Sequence, residues 1–177
     1  MNEIMNLVEL VHWSAALAIE RNPVSMLLVA NPESGKTDIV RAYSAPHHSQ
    51  LVTDLTAWGL VNEVIPSALN GQTLLVIPDL SVPLSRASPV VASLTGFLIS
   101  YCEEGVGKVA TKFLTLDPIK PVAGGVLATC TKDQFSAWRK RWGENGFLSR
   151  FLTVTFSYSL EVQKTITRMA MSKGGTG

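Results

Sequence analysis

"VANPESGKTDIV", residues 29–40, is the stretch on which the reading of this chain turns. It fits the phosphate-loop pattern G-x-x-x-x-G-K-[ST] at Gly35, Lys36 and Thr37, with Ala30 standing where the first glycine belongs. In that pattern the glycine lets backbone N–H groups turn inward around a phosphate. The lysine neutralises the β and γ oxygens of ATP, and the threonine hydroxyl ligates Mg²⁺. Asn31, Pro32, Glu33 and Ser34 make up the loop before Gly35, and Asp38 follows the threonine. A plain strand–turn–helix connection accommodates the same residues, so the flanking sequence has to decide.

"SMLLVA" (25–30) is a short continuous apolar run, the signature of a strand buried on both faces. "QLVTDL" (50–55), "TLLVIPD" (73–79), "GVLATC" (125–130) and "FLTVTFSY" (151–158) are of the same kind. Helical patterns alternate with them. Residues 4–19 put Ile4, Leu7, Val8, Val11, Ala15, Ala18 and Ile19 on one face. Residues 88–104 carry a stripe of Val91, Leu94, Leu98 and Tyr101, with Ser88 as N-cap, Pro89 in the first turn and Gly105 as the stop. A further helix runs from about Lys132 to Trp142, ended by Gly143. The alternation predicts an α/β layered fold with a mainly parallel, five-stranded sheet. It gives the opening stretch its strand–loop–helix context, at the carboxyl ends of the strands where ligands of such sheets bind.

The whole chain bounds what this fold can be. Its 177 residues suffice for one compact domain. Hydrophobic residues make up 46% and charged ones only 16%, which suits a sheet covered on both faces or a surface used in assembly. A net charge of +1 gives no global case for nucleic acid, so any such contact must come from a local patch. Apolar runs fall short of the ~20 residues that span a bilayer, and the N-terminus lacks a basic-then-apolar signal pattern. The expectation is therefore a cytoplasmic protein without membrane contact. Cys102 and Cys130 read as core thiols, and His47 and His48 lack partners at metal-ligand spacing.

A second nucleotide signal is a carboxylate at the end of a neighbouring apolar strand, to hold Mg²⁺ through water. Asp79 in "TLLVIPDL" supplies it, although an aspartate there also caps turns. The group that orients an attacking water is most often a Glu directly after that Asp, and here the next residue is Leu80. Either the base sits elsewhere or hydrolysis is slow. Asp54, at the end of the preceding strand, is positioned to face a γ-phosphate, or equally serves turn chemistry before "LTAWGL".

In order, these pieces resemble the AAA+ ATPases, and within them most nearly the minichromosome-maintenance helicase group. "LTAWGLV" (55–61) is similar to the segment opening that group's second helix. "YCEEGVGKVATKF" (101–113) is similar to its helix end and β-hairpin with a basic tip. "GFLSRFLTVTF" (146–156) is similar to its "LLSRFD" box, with Leu152 in place of the aspartate. The resemblance spans roughly residues 24–158. It implies a three-layer P-loop NTPase fold of AAA+ type, with a helical lid largely absent here. An N-terminal helix (1–20) would pack on the ATPase core (21–160), and 161–177 would begin a lid or form a tail.

The resemblance also implies roles. Lys36, Thr37 and Asp79 would handle ATP and Mg²⁺. Thr131 would be the polar sensor of γ-phosphate, although Thr131 and Gln134 also make a helix capping box. Arg150 would be an arginine finger acting on a neighbouring subunit's ATP, where a solvated charge is the plainer account. Lys108 and Lys112 on the hairpin would face the pore of a ring and track DNA phosphates, or else simply cover a solvated turn. In "WRKRW" (138–142) the tryptophans read as core or interface residues with the cations outward. The leading expectation is a homo-oligomeric, hexameric ring hydrolysing ATP between subunits and acting on DNA as a helicase-like motor or remodeller, other protein subunits being further partners. The alternative is an ATP-binding assembly or partner-loading protein with slow or no hydrolysis.

Overall fold

The structure is a computed structural model, and it describes residues 2–17, 22–44 and 47–158. Five strands form one sheet in which every pairing is parallel: β1 (Ser25–Ala30), β2 (Ser49–Leu51), β3 (Leu74–Ile77), β6 (Gly125–Thr131) and β7 (Phe151–Thr155), ordered β2-β3-β6-β1-β7. The continuous apolar runs of β1, β3 and β6 are explained by burial on both faces. Leu27, Val29, Leu75, Ile77, Val126 and Ala128 point into one core, and Met26, Leu28, Leu74, Val76 and Leu127 into the other. This is the period of two expected of strands. The second core is covered by α1 (Asn2–Ala16), through Val8, Val11 and Ala15, and by α2 (Lys36–Arg41), through Ile39 and Val40. The first is covered by three groups of helices. One is α3 (Ala57–Gly59), continued by a π-helical turn (Leu60–Val64) and α4 (Ile65–Leu69). The others are α5 (Ser81–Leu84) with α6 (Ser88–Cys102), and α7 (Lys132–Glu144). A two-stranded hairpin, β4 (Val109–Ala110) and β5 (Thr115–Leu116), projects between α6 and β6.

Several local expectations are corrected. Strand β2 covers only Ser49–Leu51 rather than 50–55, because past Val52 the chain satisfies its amides from side chains. Leu55 N donates to Asp54 Oδ1 at 2.8 Å and Gly59 N to Thr56 Oγ1 at 3.1 Å, which caps α3. Ser88 is the first residue of α6 and not its cap. Ala87 caps instead through its carbonyl, which accepts from Val90 N at 2.9 Å and Val91 N at 3.2 Å. Helix α7 runs through Gly143 to Glu144, and the left-handed residue that turns the chain is Gly146, φ 75°. Strand β7 ends at Thr155 rather than residue 158. The π-turn before α4 has a covalent cause, since Pro66 offers no N–H and its ring crowds the carbonyl four residues back. Ala18, Ile19 and the segment 161–177 lie outside the described residues.

One correction bears on the site. The strand ending at Asp79 is not the neighbour of the one ending at Ala30, because β6 lies between them. Ala30 lies opposite Thr131, whereas Ile77 lies opposite Ala128, so β3 ends three residues short and the turn through Pro78 and Asp79 carries the chain on toward the same edge. Among the described residues, no helix is long and apolar enough to cross a membrane.

Gly124, just before β6, is fixed by close approach: a Cβ there would overlap the Tyr101 hydroxyl and the Thr73 carbonyl, which are themselves bonded at 3.1 Å. Gly124→Ala is expected to destabilise the protein by roughly 1–3 kcal/mol in urea unfolding. Gly96→Ala, on an open position of α6, is expected to stabilise it by roughly 0.5–1 kcal/mol. Equal effects would show that the Gly124 contact is not a constraint.

Candidate phosphate-binding site

The loop leaving β1 turns through two left-handed residues, Glu33 at φ 58° and Gly35 at φ 71°, before α2 begins at Lys36. Left-handed residues are what let successive amides face one side as an anion-binding nest. For Gly35 the conformation is free, and the space where its Cβ would project is open to 4 Å. For Glu33 it is strained, a cost tolerated mostly at functional turns. Ala30 does not hinder the turn, since it is the buried last residue of β1 in ordinary strand pairing.

Side chains at this loop supply more donors than the protein accepts. Lys36 is only 9% exposed, yet among the described residues its one side-chain hydrogen bond is a long 3.4 Å contact from Nζ to the Asn31 carbonyl. No carboxylate pairs with it among the described residues. Ser34 Oγ is buried and has no hydrogen-bond partner among the described residues. Asn31, Pro32, Glu33 and Asp38 are exposed around the loop. Thr37 Oγ1 donates at 3.4 Å to the carbonyl of Pro78, which ties the start of α2 to the end of β3 although β6 separates their strands.

Asp79 follows directly. It is half-buried, and its Oδ1 accepts from Ser81 N at 2.9 Å, the turn-capping role weighed from the sequence. Cys130 lies between the two parts: burial pushes its thiol up to about 12, Asp79 adds to the rise and Lys36 opposes it. Thr131, level with Ala30 on the adjacent strand, has its capping box intact. Gln134 N donates to Thr131 Oγ1 at 3.2 Å and Thr131 N to Gln134 Oε1 at 2.9 Å. Lys36, Thr37, Asp79 and Thr131 are therefore gathered at one edge.

The remaining candidates stand apart. Asp54 lies in the loop that leaves β2 at the same edge, and β2 itself runs three strand spacings, ~14 Å, from β1. Both its oxygens are engaged, Oδ1 accepting from Arg86 Nη1 at 2.8 Å and Oδ2 pairing with Arg86 Nη2. These hydrogen bonds hold the exposed carboxyl below the usual aspartate range. Leu80, where a glutamate was sought, is fully buried. Arg150 precedes β7 and so sits at the opposite, amino-terminal edge, ~17 Å away along the strands. Its guanidinium pairs with Glu103 and donates to Gly146 O at 2.9 Å and Ser149 Oγ at 2.6 Å. Lys108 pairs with Asp117 at 2.7 Å, and Lys112 lies 5.3 Å from the ring of Phe113 at the exposed hairpin tip. In "WRKRW", Trp142 is buried and Arg139, Lys140 and Arg141 are exposed, as read.

Arg86, Glu103 and Thr129 were not singled out from the sequence. The first two carry no local signal, being partners of residues 32 and 47 positions away. Thr129 had one: a hydroxyl in the middle of an apolar strand needs a bonding partner. Comparison with protein-family models finds no match for this chain, and comparison with curated proteins finds none either.

The Asp54–Arg86 pair gives a titration test. A carboxyl lowered by folding contributes stability that is present above its unfolded value and lost as pH falls through its folded one, a small effect for an exposed pair. By NMR, Arg86→Ala is expected to move the Asp54 midpoint upward to the ordinary aspartate value. An unmoved midpoint would mean the pair does not persist in solution.

Proposed function

We propose that this chain is a P-loop nucleotide-binding module of AAA+ type that holds ATP with Mg²⁺ and turns it over slowly. One observation carries the reading: a buried lysine without a carboxylate partner, beside an unpartnered buried hydroxyl and a left-handed glycine. A buried ammonium is costly unless an anion compensates it. A triphosphate would accept from Lys36 Nζ, Ser34 Oγ and the loop amides together, so the residues present fit the group. Thr37 and Asp79 would hold the metal, which when bound draws charge from the phosphate oxygens. Thr131 Oγ1 accepts from Gln134 N at its helix cap and, among the described residues, keeps its O–H free to donate toward the site.

Slow turnover follows from the candidate bases. Asp54 is bound to Arg86, and Leu80 is a buried aliphatic residue. These facts favour an ATP-dependent assembly or partner-loading protein over a fast motor. The motor reading on DNA retains one supporting observation, an exposed lysine beside an exposed aromatic at the hairpin tip, a pairing that can bind phosphate and stack on bases.

Isothermal calorimetry tests the nucleotide reading. Lys36→Ala is expected to weaken ATP binding by about tenfold or more, since a charge-assisted contact in a buried loop is lost. Unchanged affinity would reduce the loop to a turn. A subunit-mixing assay tests assembly. Arg150→Ala should bind ATP almost normally but hydrolyse it more slowly still, and adding the Lys36→Ala protein should restore part of the rate, because an intact loop then meets an intact arginine. No recovery, with stability and affinity lowered together, would leave Arg150 as a structural partner of Glu103.

A further inference from the structure

The carbonyl of Pro78 receives two hydroxyl donors of unequal strength. Thr37 Oγ1 stands at 3.4 Å, the weak limit of a hydrogen bond, and Thr129 Oγ1 at 2.6 Å. Thr129 is fully buried in the middle of β6, where the neighbouring positions are apolar and an alanine or valine would serve packing alone. Its backbone takes part as well, the Thr129 carbonyl accepting from Leu80 N at 2.8 Å. One residue of β6 thus grips the peptide groups on both sides of Asp79. Pro78 lacks an N–H and so cannot continue the strand ladder from β3, which leaves the Thr129 side chain as the tie at that position.

We propose that Thr129 is a positioning residue of the nucleotide site: it fixes the turn that presents Asp79 and keeps the Pro78 carbonyl satisfied when the Thr37 hydroxyl swings away to a metal ion. This rests on the nucleotide reading above. A buried carbonyl stripped of its last donor is costly. With Thr129 in place, Thr37 gives up only a long, weak bond and is free to serve the metal. Without it, Thr37 becomes the carbonyl's only hydroxyl donor and is held back.

The sign is specific. Losing the Thr129 hydroxyl should reduce the gain in ATP affinity that Mg²⁺ brings, and leave metal-free binding alone. The experiment is calorimetric titration of ATP into the full chain, in Mg²⁺ and in EDTA, with thermal unfolding of the nucleotide-free protein alongside. In Thr129→Val the ratio of the two affinities should fall by about fivefold or more, with EDTA affinity within about twofold of wild type. Thr129→Ser should restore the ratio. Thr37→Ala should lose most of the ratio by itself, and Thr37→Ala with Thr129→Val should lose little more, since the two act on one step. If Thr129→Val does not fold, Thr129→Cys replaces it, its thiol being a poor donor of similar size. A wild-type ratio in the variant overturns the proposal, and so does an equal loss in both buffers with a lowered melting temperature. Wild-type protein that binds no ATP in either buffer would instead sink the nucleotide reading, and this proposal with it.

Discussion

A parallel sheet covered by helices on both faces leaves polar chemistry almost nowhere to go but the ends of its strands. The three inner strands β1, β3 and β6 spend their side chains on two cores, and even Ser25 and Thr129 are buried and bonded inward. What remains is the carboxyl edge, which carries the loop, Asp79 and Thr131, and the amino edge, which carries Arg150 and the hairpin. The two are separated by the length of β1, ~17 Å. Every functional question about the molecule therefore divides by edge. A group at one cannot help a ligand bound at the other within the same chain.

Charge is distributed by the same logic. With charged residues at only 16%, most cations in question already have an anion: Arg86 has Asp54, Arg150 has Glu103, Lys108 has Asp117. Each pair is more than a third exposed on at least one side, so each adds little stability and is easily exchanged. Lys36 differs in both respects, being buried and supported only by a long contact to a carbonyl. The exposed pairs cost little to make or break, whereas the buried ammonium is a standing cost that an anionic ligand would remove.

How much of this was legible in the sequence follows the range of the interaction involved. The inner strands β1, β3 and β6 were legible as apolar runs because burial on both faces acts on each residue separately, whereas the edge strands β2 and β7 are part-exposed and their bounds were read too long. The Thr131–Gln134 capping box was legible because both partners lie within one turn. The place of β6 between β1 and β3 was not, since strand order is settled by how helices pack on the sheet. For the same reason the sequence left Asp54 open between a phosphate-facing role and turn chemistry: its strand ends at the carboxyl edge, but that strand is the outermost one, three spacings from β1, and Asp54 Oδ1 accepts from Leu55 N in the turn. Arg86 then claims it, from 32 residues away. Thr129 is the instructive omission, because a lone hydroxyl in "GVLATC" announces a partner without saying which one.

The separation of the edges also constrains assembly. If Arg150 is to act on a nucleotide, the amino edge of one chain must meet the carboxyl edge of another, a head-to-tail contact that joins two different surfaces. Such contacts close into rings or run on as filaments, and do not form two-fold dimers. Arg150 would first have to leave Glu103, Gly146 and Ser149, with the Glu103 carboxylate returned to water. Glu103 is the more exposed of the pair, at 57% against 25%, so its rehydration is easy and the cost falls mainly on re-aiming the arginine. A negative triphosphate offers that arginine a stronger partner than a single exposed carboxylate does. The exchange of Glu103 for phosphate is thus favourable only when nucleotide is already in the facing loop, and by that linkage assembly would depend on ATP without any change in the fold of either chain.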